Sequence, residues 1–385
     1  MTAPAYPAAR AVAATVEAHF GRRAESARQR GRDGSLAPEP DARTVEAIIE
    51  AAFWASLRRE EGFSPKISLA LLPPEMAAQP LLFERRLALA PAALAKLAPA
   101  VERPGIHLGV WRDDDAEGGG LHVWGATRTL PRLCFVLEVI EPGLLVVKHP
   151  RSRDPGKFAN VIVLKGDEVK VIDEAGASLP DCPSLLTSLL GLGAPPGISF
   201  DSVDVLVRLA VSMRAHGRGG SLLVVPQGSE GWRESIVRPI PYAVTPPFGE
   251  LAELMRRDPS ERAEQVWQEA LIDAVEAVAG LTAVDGAAVI SDAYDVLAFG
   301  AKISRRRGGA QVERISVTEP VVGGAAWRAH PSELGGTRHL SAAQFVLDQQ
   351  DAVALVASQD GRFTVFAWSP CEAMVHAHRV ETLLL

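Results

Sequence analysis

The stretch Asp285-Gly286-Ala287-Ala288-Val289-Ile290 joins an aspartate–glycine turn to a short apolar run. Glycine allows tight turns and close backbone approach at a strand edge, so this stretch predicts the start of a buried strand. The segment before it ends near residue 279 and repeats apolar residues every four positions, at Val266, Ala270, Ala274 and Val278. That spacing predicts a long amphipathic helix, and a helix that leads through a turn into a buried strand is typical of α/β folds.

The flanking segments continue the alternation of helices and strands. Helices are predicted at residues 201–216 and 340–347. Strands are predicted at residues 221–225, 287–291, 296–303, 311–317, 352–357 and 363–368. We therefore expect residues 198–385 to form one α/β (α+β) domain, with a central mixed sheet flanked by helices.

The first half predicts a separate lobe. Residues 1–40 indicate an N-terminal helix and a linker, and Asp41 is the expected N-cap of a second helix. Short apolar runs separated by turn sequences predict an antiparallel β meander between residues 105 and 172. A Gly- and Pro-rich stretch at residues 191–197 predicts the end of this lobe, so the expected domain runs over residues 41–197.

Composition excludes several classes of protein. Of the 385 residues 47% are hydrophobic, and the net charge of −7 argues against broad binding to nucleic acid. The three cysteines fit no zinc spacing and predict a reducing compartment. No apolar run reaches the roughly 18 residues of a membrane-spanning helix, and no signal peptide is recognisable. We expect a cytoplasmic protein without a membrane partner.

Two turns carry groups that suit a nucleotide. Asp285 offers a carboxylate beside a flexible glycine, suited to a metal ion or a ribose hydroxyl. Thr337, Arg338 and His339 stand at the predicted start of a helix, where free N–H groups and the helix dipole favour a phosphate. Each motif alone also has a plain structural explanation: Asp-Gly as a turn, Thr337 as an N-cap, and Arg338 as a surface cation.

Together these motifs resemble the diadenylate cyclase family. That family has an Asp-Gly-Ala turn after a long helix and a later Gly-Thr-Arg-His-Arg segment, matched here by Gly336-Thr337-Arg338-His339. The resemblance covers about residues 201–368. It implies a nucleotide-binding domain whose site comprises Asp285, Gly286, Ala287, Gly336, Thr337, Arg338, His339 and Ser358, with Asp285 catalytic only if the cyclase is active.

Departures from the pattern favour binding over turnover. Leu340 stands where the family has a second arginine, and Gln359 where a glutamate is usual. The chain therefore looks like the divergent DACNV type of probable sensor domain, which implies binding of ATP or a cyclic dinucleotide without synthesis. The alternative is an active cyclase that makes cyclic di-AMP from two ATP, possible if Arg305-Arg306-Arg307 compensates for the lost arginine.

Cofactor and partner expectations follow from the same resemblance. We expect no metal site and no cofactor for a sensor, but Mg²⁺ or Mn²⁺ for an active cyclase. His376 and His378, with Cys371 upstream, are interpreted as a surface pair and not as a metal site. Since no second effector domain is recognisable, output is expected to pass through a homo-oligomer or a separate effector protein.

Overall fold

Regular elements occupy most of the chain in the computed structural model, which describes residues 5–30, 36–112, 120–150, 158–173, 200–258 and 261–385 (backbone only for 200–204 and 263). The predicted boundary at residues 191–197 and Cys182, one of the three cysteines, lie outside these ranges. The chain divides into two compact units, Met1–Ile172 with Leu385, and Asp173–Leu384. Each unit is described by itself.

The first unit is a mixed sheet covered by helices. Its helices are α1 (Pro7–Gln29), α2 (Ala42–Ser56) and α3 (Pro91–Val101). Its strands are β1 (Ile67–Leu71), β2 (Leu81–Ala88), β3 (His107–Arg112), β4 (Leu121–Thr127), β5 (Phe135–Glu141), β6 (Leu144–Pro150), β7 (Phe158–Lys165) and β8 (Glu168–Val171). Within the described residues the strand order is β2-β4-β3-β1-β5-β6-β7-β8.

Helices α1 and α2 form because their apolar residues fall on one side. Val12, Val16 and Phe20 of α1 are buried, as are Ile48 and Ile49 of α2. They share one core with alternate residues of the sheet, because successive side chains of a strand point to opposite faces. As predicted, Asp41 caps α2: its carboxylate accepts a hydrogen bond from the Thr44 backbone N–H at 3.0 Å.

The predicted meander is only partly present. Strands β5 to β8 do follow one another antiparallel, but β1 lies between β3 and β5 and pairs parallel to β3. Strand β2 forms the edge next to β4, although its residues are largely exposed and include the charged run Glu84-Arg85-Arg86. An edge strand needs only one partner and tolerates charge, which explains why the apolar pattern did not predict β2.

The second unit has the predicted fold class, a mixed sheet between two helical layers. Its helices are α4 (Phe200–Ala215), α5 (Glu250–Arg256), α6 (Gln265–Leu281), α7 (Pro331–Leu334) and α8 (Thr337–Asp348). Its strands are β9 (Gly220–Val225), β10 (Tyr242–Phe248), β11 (Ala287–Ser291), β12 (Val296–Ala301), β13 (Ile315–Thr318), β14 (Trp327–Ala329), β15 (Val353–Ala357), β16 (Phe363–Ser369) and β17 (Met374–Arg379). The strand order among the described residues is β10-β12-β11-β9-β15-β16-β17-β13-β14.

The two faces of this sheet bury separate cores. Leu222 of β9 packs with α4 and α6, whereas Leu223 packs on the other face with α8, near Phe345. Strands β9 and β11 run parallel, as do β13 and β17, and the other neighbouring pairs are antiparallel. A strand buried on both faces reads as a continuous apolar run, as residues 222–225 do.

Some strands of the second unit were not predicted. One of them, β10, runs through Pro246 and Pro247 at the sheet edge. Proline is tolerated there because an edge strand has N–H groups without a ladder partner. Helix α6 begins at Gln265 and its N-cap is Glu264.

Replacing Asp41 by alanine tests the cap of α2. We expect Asp41→Ala to lower the free energy of unfolding by about 1–2 kcal/mol, because the Thr44 N–H loses its acceptor. Asp41→Ser keeps an oxygen acceptor and should cost clearly less. Both variants remove the exposed ion pair with Arg112, worth less than about 1 kcal/mol, so their difference isolates the cap. Urea unfolding followed by circular dichroism measures it, and equal losses would contradict the assignment.

Candidate functional site

Three strand ends of the second unit meet at one edge of the sheet. Parallel pairing of β9 and β11 places Leu222 opposite Ala288, and antiparallel pairing of β9 and β15 places Gly220 opposite Ala357. Continuing both registers brings Gly219 between Asp285 and Ser358, at neighbouring strand positions. We call these three residues the rim.

Arg338 of α8 lies over the rim. A Cβ atom built on Gly219 would lie 2.9 Å from Arg338 Nη1, so the guanidinium fills the space a side chain there would need. Gly219 also has a φ of +69°, which suits glycine. The exposed Arg338 and Thr337 begin α8, whose N-cap Gly336 supplies no side-chain acceptor for the free N–H groups.

The Asp285 carboxylate has a cationic partner that the sequence did not predict. Lys302, directly after β12, donates a hydrogen bond from Nζ to Asp285 Oδ2. The side chains are 91% exposed for Asp285 and 51% for Lys302. The hydrogen bond and charge of Lys302, followed by the charge of Arg338, hold the pKa of Asp285 below its usual value. Asp285 is thus an ionised carboxylate with two cations nearby.

Gly286 has a packing role of its own. A Cβ atom there would lie 2.4 Å from the Gly300 carbonyl carbon, and φ at Gly286 is +117°. Strand β12 therefore passes too close to β11 for any other residue. This approach follows from the antiparallel pairing in which Ala287 lies opposite Ala301.

Two of the predicted site residues lie beneath the surface. Ala287 is buried in the core on the α8 side of the sheet. His339 is 2% exposed, with Nε2 3.4 Å from Thr364 Oγ1, and burial lowers its pKa. Its Nδ1 would lie 2.4 Å from a Cβ on Gly335. The structure thus places Asp285, Gly286, Arg338 and Ser358 close together. Gly336 and Thr337 lie at the start of α8, whereas His339 is buried.

Leu340 and Gln359, the two departures from the diadenylate cyclase pattern, each make contacts of their own. Leu340 is half-buried against the core on the α8 side. Gln359 donates a hydrogen bond from Nε2 to the Arg218 carbonyl at 3.3 Å, and Asp360 pairs with Arg362 at 3.2 Å. These contacts connect the turn after β15 to the residue before Gly219 and to Arg362 within the same turn.

The arginine run at residues 305–307 lies at the other end of α8. The Arg306 backbone N–H donates to Asp348 Oδ2 at 2.8 Å, and its side chain pairs with Glu234 at 2.7 Å. Asp348 ends α8 and Arg338 begins it, a separation of about 15 Å along the axis at 1.5 Å per residue. The contacts of Arg306 therefore lie at the end of α8 away from Arg338.

The donor set at the rim does not fit a divalent metal ion. Mg²⁺ and Mn²⁺ prefer several oxygen ligands, and Asp285 offers one carboxylate already bound to Lys302. Across the described part of the chain, no group of three or more His, Cys, Asp or Glu residues is placed to hold a metal. The prediction that His376 and His378 form a surface pair was wrong, because both side chains are buried. Nor does any helix among the described residues have the length and apolar character needed to cross a membrane.

Comparison with known families finds one match. Residues 34–128 match the model of a family described as probable sensor domain DACNV. The match covers about a quarter of the chain and lies in the first unit, from before α2 to the end of β4. It supports the DACNV part of the resemblance and indicates a probable sensor domain, although the motifs that suggested it lie in the second unit. No curated protein matches the chain.

Replacing Gly286 by alanine tests the close approach of β11 and β12. We expect Gly286→Ala to cost about 3 kcal/mol or more of unfolding free energy, because backbone strain and the clash with Gly300 add. Gly308→Ala is the matched control, because Gly308 also has a positive φ but nothing within 4 Å of its Cβ position. Its cost should stay near about 1 kcal/mol, the strain of the backbone alone. Denaturant titration of both variants would contradict the packing if their losses were equal.

Proposed function

We propose that the chain is a sensor protein that binds a nucleotide or cyclic dinucleotide at the rim of its second unit. The observation that carries the proposal is the guanidinium of Arg338 over Gly219, beside the Asp285 carboxylate. The match of residues 34–128 to a probable sensor domain supports the sensor part.

The groups at the rim and next to it suit a phosphate. Arg338 presents a planar fork of N–H donors that matches two phosphate oxygens. Helix α8 has twelve residues, and its first N–H groups and dipole end favour an anion at the same place. Lys302 adds a second cation. Asp285, once bound to Lys302, is left with acceptor capacity for a ribose hydroxyl.

Turnover of ATP is the alternative function. An active cyclase would use a divalent metal at Asp285 to neutralise charge that develops on the phosphates. Three observations argue for binding alone: the pairing of Asp285 with Lys302, the half-buried Leu340 in place of a cation, and the position of residues 305–307 at the far end of α8.

A ligand site in the first unit is the second candidate, because the sensor-domain match lies there. The two candidates predict different effects of substituting Arg338. Loss of binding on changing Arg338 assigns the ligand to the second unit, whereas unchanged binding assigns it to the first. In either case we propose that the output partner is a second copy of the chain or a separate effector protein.

Removing the Arg338 guanidinium tests the proposed site. We expect Arg338→Ala to weaken binding of ATP or cyclic di-AMP by about 1.5–3 kcal/mol, or about 10- to 150-fold, because a charge-assisted contact is lost. Arg307→Ala is the matched control, an exposed arginine near the other end of α8 that should leave affinity unchanged. Calorimetry and ligand-dependent thermal stabilisation report the affinity. Equal affinity of wild type and Arg338→Ala would refute the site.

A direct assay separates sensor from cyclase. We expect no cyclic di-AMP when the purified chain is incubated with ATP and Mg²⁺ or Mn²⁺, since the rim lacks a metal-binding donor set. Chromatography of the reaction mixture measures the product. Several turnovers per protein, abolished by Asp285→Asn, would establish the alternative function.

A further inference from the structure

Lys302 pairs with Asp285, the carboxylate of the rim that a divalent cation would need. Its ammonium donates a hydrogen bond to Asp285 Oδ2. We infer that Lys302 replaces the metal ion, so that the rim binds its nucleotide without a divalent cation. This inference rests on the proposed function and names the chemistry by which that site would hold its ligand.

The backbone holds Lys302 in this place. It follows β12 directly, and the close approach of Gly286 to Gly300 keeps this end of β12 against the turn that carries Asp285. On the other side, the Val237 backbone N–H donates to the Lys302 carbonyl at 2.8 Å. Main-chain contacts therefore position the backbone of Lys302 next to the turn that carries Asp285, and the side chain completes an exposed ion pair.

The local charge opposes a metal ion and favours a phosphate. Asp285 contributes one negative charge, and Lys302 and Arg338 each contribute one positive charge. A divalent cation at Asp285 would compete with Lys302 for the carboxylate and would be repelled by Arg338. A phosphate is attracted by both cations, and Lys302 can bridge it to Asp285 because an ammonium has three donors.

The experiment compares binding with and without metal. Calorimetric titration of cyclic di-AMP and of ATP into the full chain is carried out in EDTA and again in Mg²⁺. Cyclic di-AMP separates a metal at the protein from a metal on the ligand, because its phosphodiesters chelate Mg²⁺ less strongly than a triphosphate does. For wild type we expect dissociation constants for cyclic di-AMP that agree within about threefold in the two conditions.

Lys302→Met removes the charge and keeps the length of the side chain. In EDTA it should weaken binding by about tenfold or more, as expected for a lost charge-assisted contact. Mg²⁺ should restore part of the loss, because Asp285 is then open to a cation. Mn²⁺ alone should bind Lys302→Met more tightly than wild type, which tests the exchange without a nucleotide. Arg307→Ala, the control, should behave as wild type.

The outcomes distinguish this inference from the function on which it rests. Binding by wild type only in Mg²⁺, or an unchanged affinity of Lys302→Met in EDTA, overturns the inference and leaves the nucleotide sensor intact. Absence of binding in both conditions overturns the proposed function and the inference with it. Equal binding in EDTA and Mg²⁺, together with metal-responsive binding by Lys302→Met, supports both.

Discussion

The pairing of β9 with β11 on one side and β15 on the other is the constraint on which the second unit depends. Leu222 and Leu223 of β9 are both fully buried, one in each core, so the strand has no freedom to shift its register. A shift of one residue would turn each of these side chains to the wrong face. The same register aligns Gly219 with Asp285 and Ser358, and it therefore positions the rim as well as the core.

Glycines at this edge serve packing and the candidate site together. Gly219 leaves space for the Arg338 guanidinium, and Gly286 leaves space for the backbone of β12. The second contact brings the backbone of Lys302 next to the turn that carries Asp285. The Asp-Gly turn, whose carboxylate was expected to suit a metal ion or a ribose hydroxyl, carries the acidic partner of an ion pair with Lys302.

The two units contribute different parts of the functional argument. The first unit contains the match to a probable sensor domain, with α2, α3 and strands β1 to β4 inside the matched residues. The second unit contains the exposed cations, the carboxylate and the helix start that suit a phosphate. Each unit has its own buried core, so substitutions at the rim perturb the chemistry of one unit without removing core residues of the other.

The sequence by itself determined the elements whose signal is local. The α/β class, the N-cap at Asp41 and the strand after Gly286 follow from periodicity, capping chemistry and turn residues close in the chain. The burial of His339 was also within reach, because it shares a helical stripe with Ala342, Ala343 and Val346. Only the tertiary structure decided the insertion of β1 between β3 and β5, the edge strands β2 and β10, and the pairing of Lys302 with Asp285. These depend on contacts between strands, and neither an edge strand nor a surface lysine leaves a periodic apolar pattern to show which partner it will meet.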